Sequence, residues 1–140
     1  MTRVSETRYD VIVLGAGPAG LAAGLAAHQN GVSTLLIERE ESPGGILKQC
    51  IHDGFGLIRF GEKLTGPEYA QRYIDMVKKE DIAILTSTFV THIEKKDGVF
   101  DLALVNEDKG VFHVQSSALI LAGGCRERTA RQIASHGSRP

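Results

Sequence analysis

The sequence predicts an α/β fold, a central parallel sheet wound from βα units and crossed by a β-meander. Three observations carry this. Val11 to Leu14 is a short, apolar, β-branched run, the pattern of a strand buried on both faces. An Ala-rich helical run, Leu21 to Gln29, follows at once and gives way at Asn30-Gly31 to a second apolar run, Val32 to Ile37. Later, Val99 to Val105 and Val111 to Gln115 alternate apolar with polar residues. They are set off by Asp97-Gly98 and Lys109-Gly110, which is hairpin rather than crossover chemistry.

The first strand and helix are joined by Gly15-Ala16-Gly17-Pro18-Ala19-Gly20. Each glycine of this GxGxxG spacing has a physical reason. Gly15 lets the chain turn sharply. Gly17 leaves main chain bare for a pyrophosphate. Gly20 lets the helix pack close to the strand. Backbone amides and the positive end of the helix dipole then face the anion. Glu38, eighteen residues beyond Gly20, closes the second strand, where a carboxylate can accept both hydroxyls of an adenosine ribose. Glu38 favours a free 2′-hydroxyl and repels a 2′-phosphate; Arg39 beside it argues the other way or is a solvated cation.

Beyond the βαβ unit, Pro43-Gly44-Gly45 forms a bend that could bring backbone close to a ligand. Ile46 to Gly66 reads mainly as an ordered loop, with one short helix near Ile46 to His52. Pro67 to Glu80 reads as a helix with Pro67 in its first turn and Tyr69, Tyr73, Met76 and Val77 on its inner face. Ile82 to Leu85 is a third strand, Thr86 to His92 leads into a further strand through Ile93 ahead of the meander, and Ala118 to Leu121 is a separate closing strand running into Ala122-Gly123-Gly124.

One hundred and forty residues suit a single domain, 1–140. Sixteen basic against seventeen acidic residues leave a net charge of −1, which gives no electrostatic reason to expect nucleic acid or an anionic membrane as partner. No stretch is apolar and long enough for a membrane span, and the polar start lacks a leader's apolar segment. Cys50 and Cys125 make neither a disulfide framework nor a metal cluster, and His28, His92, His113 and His136 lack ligand spacing, so no metal is expected. A reducing, cytoplasmic setting is the default.

With its βαβ unit, Glu38, Pro43-Gly44-Gly45 bend, meander and closing Ala118–Gly124 run, the chain resembles the Rossmann-like FAD-binding domain of two-dinucleotide-domain flavoproteins, the pyridine nucleotide-disulfide oxidoreductases and their relatives. The segments Gly44 to Ala70 and Gly124 to Arg128 are similar to FAD-dependent oxidoreductases akin to NADH-oxidase-like proteins and the sarcosine oxidase alpha subunit. The resemblance implies FAD as cofactor and NAD(P)H as co-substrate of the full-length family. It implies that Gly15, Ala16, Gly17, Pro18, Ala19 and Gly20 hold the pyrophosphate, with Glu38 and Arg39 at the adenosine ribose. Gly44, Gly45 and Ile46 line the path to the flavin. Val90 meets the adenine through its backbone, and Ala122-Gly123 forms the closing turn.

Two departures bear on function. Disulfide reductases of this fold carry Cys-x4-Cys after the Gly-Gly bend; here Leu47 and His52 take those places, Cys50 stands alone between them, and no internal disulfide forms. Lys48 and Asp53 replace residues that are often Asn in the closer relatives. The resemblance also implies that the NAD-binding domain and the rest of the FAD domain are absent from 1–140. Apolar surface would then be exposed to self-association or to a partner dehydrogenase subunit.

Bound flavin would carry the redox chemistry. Cys50 and His52 are the candidate catalytic pair, a thiol and a proton donor; the bland alternatives are a small buried residue and a hydrogen-bonded loop residue. Arg126 and Arg128 are candidates for an anion or carboxylate contact, with a solvated pair as the alternative, and Cys125 is expected to be structural. Two other functions stay open: an NAD-binding Rossmann dehydrogenase, which the meander disfavours, and a non-catalytic dinucleotide-binding subunit.

Overall fold

The computed structural model describes residues 7–125. In chain order these form β1 (Arg8–Leu14), α1 (Pro18–Gln29), β2 (Thr34–Ile37), a 3₁₀ turn (Gly45–Gln49), α2 (Leu57–Phe60), α3 (Gly66–Lys79), β3 (Ala83–Leu85), β4 (Phe89–Lys96), β5 (Val99–Asn106) and β6 (Gly110–Leu121). The six strands form one sheet in the order β3-β2-β1-β6-β5-β4. β3, β2, β1 and β6 run parallel, while β6, β5 and β4 are the antiparallel meander.

The period-2 alternation of strand side chains separates two cores. Val11, Val13, Leu36, Ile84 and Ile120 face the helices, joining Leu21 and Leu25 of α1 and Tyr73, Ile74 and Val77 of α3. Their sequence neighbours Ile12, Leu35, Ile37, Leu85 and Leu119 face the other way, onto Leu102, Leu104 and Val114 of the meander. The parallel strands are therefore buried on both faces, which is why they read as uninterrupted apolar runs.

The closing segment differs from the sequence expectation. Val111–Gln115 and Ala118–Leu121 are not separate strands but parts of one, β6. Gly110 to Ser116 pair with β5, and Gln115 to Leu121 pair with β1, so one strand serves the meander and then the parallel ladder. Ser116, fully buried, sits between Tyr9 and Phe100 at the changeover, where a small side chain admits three crowded strands.

Helix boundaries follow local chemistry. α1 starts at Pro18 and ends at Asn30, whose amide and side chain both donate to the Ala26 carbonyl. α3 opens on a capping box: Thr65 Oγ1 accepts the Glu68 amide, and the Glu68 carboxylate accepts the Thr65 amide. The stretch read as mainly loop holds one further helical turn, α2, bounded on both sides by left-handed glycines, Gly56 and Gly61. Its apolar residues split. Phe60 packs on Tyr69 and Tyr73, whereas Ile51, Leu57 and Ile58 face solvent. No helix among the described residues is long and apolar enough to cross a membrane.

Candidate functional site

The carboxyl ends of β1, β2 and β6 meet at the glycine loop. On one side of β1 the chain winds to β2, and on the other it meets β6. This is a strand-order switch point, the place where open α/β sheets leave a crevice. A half-open cleft of about 570 Å³ lies there, lined by Arg39, Gly123, Gly124 and Cys125.

The glycines of the loop have different causes. Gly15 has a φ of +100°, its amide donates to the Ile37 carbonyl at 2.8 Å, and a Cβ on it would lie 2.3 Å from the Ala122 carbonyl oxygen. A Cβ on Gly20 would lie 1.7 Å from the Gly15 carbonyl oxygen. Both are glycine because the fold allows nothing else. Gly17 is not under that constraint. Its φ of −74° suits any residue, and the nearest atom to a Cβ there is the Gly45 Cα at 3.9 Å, an ordinary contact. Gly123 likewise has open space around it. Packing requires neither glycine, and Gly123 lines the cleft.

Opposite Gly17 stands the Gly44-Gly45 bend, with φ of +116° and +55°. The Gly44 amide donates to the Ala16 carbonyl at 2.8 Å and locks the bend to the loop. Among the described residues no acceptor takes the amides of Gly17, Ala19 or Gly20. Pro18 has none to offer, and the first turn of α1 carries no acidic side chain. The start of α1 is thus a set of unpaired donors at a positive dipole end.

Glu38, 7% exposed, turns into this loop. One carboxylate oxygen accepts the Ala16 amide at 2.8 Å and the other accepts the Glu40 amide at 3.0 Å. Each oxygen keeps a lone pair for a further donor. Its main chain is held by the Leu85 carbonyl at 2.7 Å and the Thr88 amide at 3.0 Å. The sequence shows the acid at the end of β2 but not its bond to Ala16, because a contact across twenty-two residues leaves no local pattern. Arg39 lines the cleft, exposed, with its Nε 3.2 Å from Glu40.

The remaining candidates distribute as follows. Ala122 donates its amide to the Leu14 carbonyl at 2.8 Å and extends the parallel ladder to the crevice rim. Val90 is half-buried in β4 opposite Leu104, beside a bulge at Thr91. Ile46 is exposed after the bend. Lys48 bonds the carbonyl and hydroxyl of Ser42 at 3.0 Å. The half-buried Cys50 directs its thiol at the Ile46 carbonyl, 3.5 Å away. His52 is exposed, its Nδ1 at the Asp53 carbonyl and its ring against Phe55. No contact joins Cys50 to His52, and neither lines the cleft. Cys125, expected to be structural, is exposed at the cleft instead, because the chain leaves the sheet after Leu121. Arg126 and Arg128 lie outside the described residues. No cluster of three or more metal-ligating side chains occurs among those described.

Sequence reasoning missed Gly66. A Cβ there would meet the Leu47 and Cys50 carbonyl oxygens at 2.4 and 2.6 Å, so the start of α3 rests directly on the 3₁₀ turn that follows the bend. The available signal was a glycine just after the Thr65 cap and just before Pro67.

Known proteins match this arrangement. A family model described as FAD dependent oxidoreductase matches residues 10–56, the βαβ unit and the bend. Ferredoxin–NADP reductase 3 of Lysinibacillus sphaericus is 30% identical over 116 residues, covering 83% of this chain and 32% of its own length. Sarcosine oxidase subunit alpha of a Corynebacterium species is 36% identical over 86 residues, 61% of this chain and 8% of its own. The thioredoxin reductase structure from Streptococcus pyogenes superposes with a TM-score of 0.73 at 26% identity, over 89% of this chain and 38% of that one. The chain thus spans about a third or less of these curated relatives. The matched segment is the one that builds the βαβ unit and the bend, and over it the chain is similar to FAD-dependent oxidoreductases, with relatives named as reductases and an oxidase that extend past it.

Proposed function

We propose that this chain binds FAD with its diphosphate over Gly15 to Gly20, its adenosine ribose on Glu38, and its flavin end directed past Gly44, Gly45 and Ile46. The observation that carries the reading is Gly17. Its backbone tolerates any residue and its surroundings leave room for a Cβ, yet its main chain is bare where it packs against the Gly44-Gly45 bend. A bare main chain with unpaired amides suits an anion that must approach closely. Glu38 supplies the acceptor for sugar hydroxyls, and Ala122 with Gly123 forms the opposite rim.

When bound, FAD would supply hydride and electron transfer at its ring system. This chain's own contribution is to hold it. The amides neutralise phosphate charge, Glu38 fixes the sugar, and the paired glycine turns keep side chains out of its path. The name of the ferredoxin–NADP reductase relative supports NAD(P)H as the electron source of the whole protein. No step is assigned to Cys50 or His52. The described residues hold two free cysteines, so they offer no preformed disulfide. A second reading, work within a multi-subunit enzyme beside a partner dehydrogenase, is favoured by the relative named as an alpha subunit and by exposed Ile51, Leu57 and Ile58.

The test is FAD titration followed by flavin fluorescence, on the chain and on Gly17→Ala. Saturable FAD binding that Gly17→Ala weakens at least about tenfold supports the reading. A chain that takes up NAD but not FAD, or a Gly17→Ala variant with native affinity, overturns it.

A further inference from the structure

We propose that Thr88 and Asn106 are positioning residues for the ribose of the bound dinucleotide, acting through Glu38. The inference rests on the reading of Glu38 as the ribose acceptor. The meander then does more than cover the sheet: the turn leading into it and its second hairpin set the acid's place.

One connected set of bonds links the meander to the acid. The turn Thr86–Thr88 lies against the main chain at the acid and just after it: the Thr88 amide donates to the Glu38 carbonyl at 3.0 Å, and the Ser87 amide donates to the Glu40 carbonyl at 2.9 Å. Glu40 in turn gives its amide to the Glu38 carboxylate. The turn is strained, since Ser87 takes a φ of +48°, a left-handed conformation that persists in a non-glycine residue only where the surroundings enforce it.

Thr88 provides that enforcement. It is 1% exposed, and its hydroxyl has both roles filled. It donates to the Thr86 carbonyl at 2.8 Å, closing the turn, and accepts from Asn106 Nδ2 at 3.2 Å. Asn106 is itself fixed, its Oδ1 accepting the Lys109 amide at 2.9 Å in the β5–β6 hairpin. A buried hydroxyl using donor and acceptor together is an expensive arrangement to break, because its loss strands a carbonyl and an amide at once. It forms the join between the hairpin and the acid at the crevice.

The experiment compares ADP with 2′,3′-dideoxy-ADP by calorimetric titration. The ratio of the two dissociation constants isolates the sugar hydroxyls from phosphate binding and from general stability. Native chain should prefer ADP by about tenfold or more, as a charge-assisted hydrogen bond predicts. Glu38→Gln should reduce the ratio sharply. Thr88→Val, nearly isosteric but without the hydroxyl, should bring the ratio close to that of Glu38→Gln and change nothing further in the Glu38→Gln background. Thr88→Ser should restore the native ratio. Asn106→Ala, which removes the outer tie alone, should lower it by about two- to threefold, and it carries the test should Thr88→Val not fold. A native ratio in folded Thr88→Val, or in Asn106→Ala where Thr88→Val does not fold, overturns the proposal while leaving Glu38 in place. A native chain that does not distinguish the two nucleotides overturns the ribose assignment of Glu38, and the positioning role with it.

Discussion

The Glu38 carboxylate accepts the Ala16 amide at 2.8 Å, joining the end of β2 to the middle of the glycine loop. The same acid that suits a ribose therefore also shapes the loop that suits a diphosphate. Glu38→Ala strands the buried Ala16 amide and frees the part-buried Glu40 amide. It should lower unfolding free energy by about 1–3 kcal/mol in urea titration and weaken ADP binding in the same variant. Loss of binding with native stability would separate the two roles.

Gly17 and Gly20 should respond in opposite ways to the same substitution. Gly20→Ala drives a Cβ to 1.7 Å from the Gly15 carbonyl, so main chain must move and the melting temperature should fall by several degrees. Gly17→Ala meets nothing closer than 3.9 Å and should melt within about a degree of the native chain while losing FAD. Thermal melts with and without FAD distinguish the pair.

The capping box of α3 is a site where stability alone should change. Thr65→Ala removes the acceptor for the Glu68 amide and should cost about 0.5–2 kcal/mol, read by urea unfolding, with ADP affinity unaltered. The Glu68 carboxyl is held below its ordinary range by the Thr65 amide and hydroxyl, so the carboxylate's half of the capping box should weaken in acid while the Thr65 cap on the Glu68 amide persists.

On the outer face of the meander, the Asp101 carboxyl is held below its usual range, first by the His113 side chain at 2.6 Å and next by Gln115. A depressed folded-state value means the contribution is complete above the unfolded value, near 4, and disappears as pH falls through the lower folded one. The stability difference between native chain and Asp101→Asn should therefore shrink below about pH 4. It should stay under about 1 kcal/mol even at neutral pH, because the pair is partly exposed.

Much of this architecture was legible beforehand, for identifiable reasons. The βαβ unit announces itself because strands buried on both faces are continuously apolar and the glycines stand at fixed offsets. The meander announces itself through alternation and Asp-Gly and Lys-Gly turns. The join within β6 was hidden, since Ser116-Ser117 reads as a break in apolar pattern when it is the point where one strand changes partners. Long-range ties of main chain to side chain, such as Ala16 to Glu38 and Asn106 to Thr88, leave no trace in local pattern. Nor could the sequence show which glycines packing demands: Gly15, Gly17 and Gly20 look alike until their neighbours are in place.

The dual membership of β6 also bears on synthesis of the chain. Gly15 takes its shape against the Ala122 carbonyl, and Leu14 pairs with Leu121. During translation the glycine loop emerges more than a hundred residues before the surface it rests on. Until then β1 has an open edge where β6 will dock, and the glycine loop lacks the surface that shapes Gly15. Closure of so distant a pairing is slow and leaves that edge available to other chains meanwhile. On the proposed mode of binding, FAD can meet the rim formed by Ala122 and Gly123 only after the end of β6 has left the ribosome.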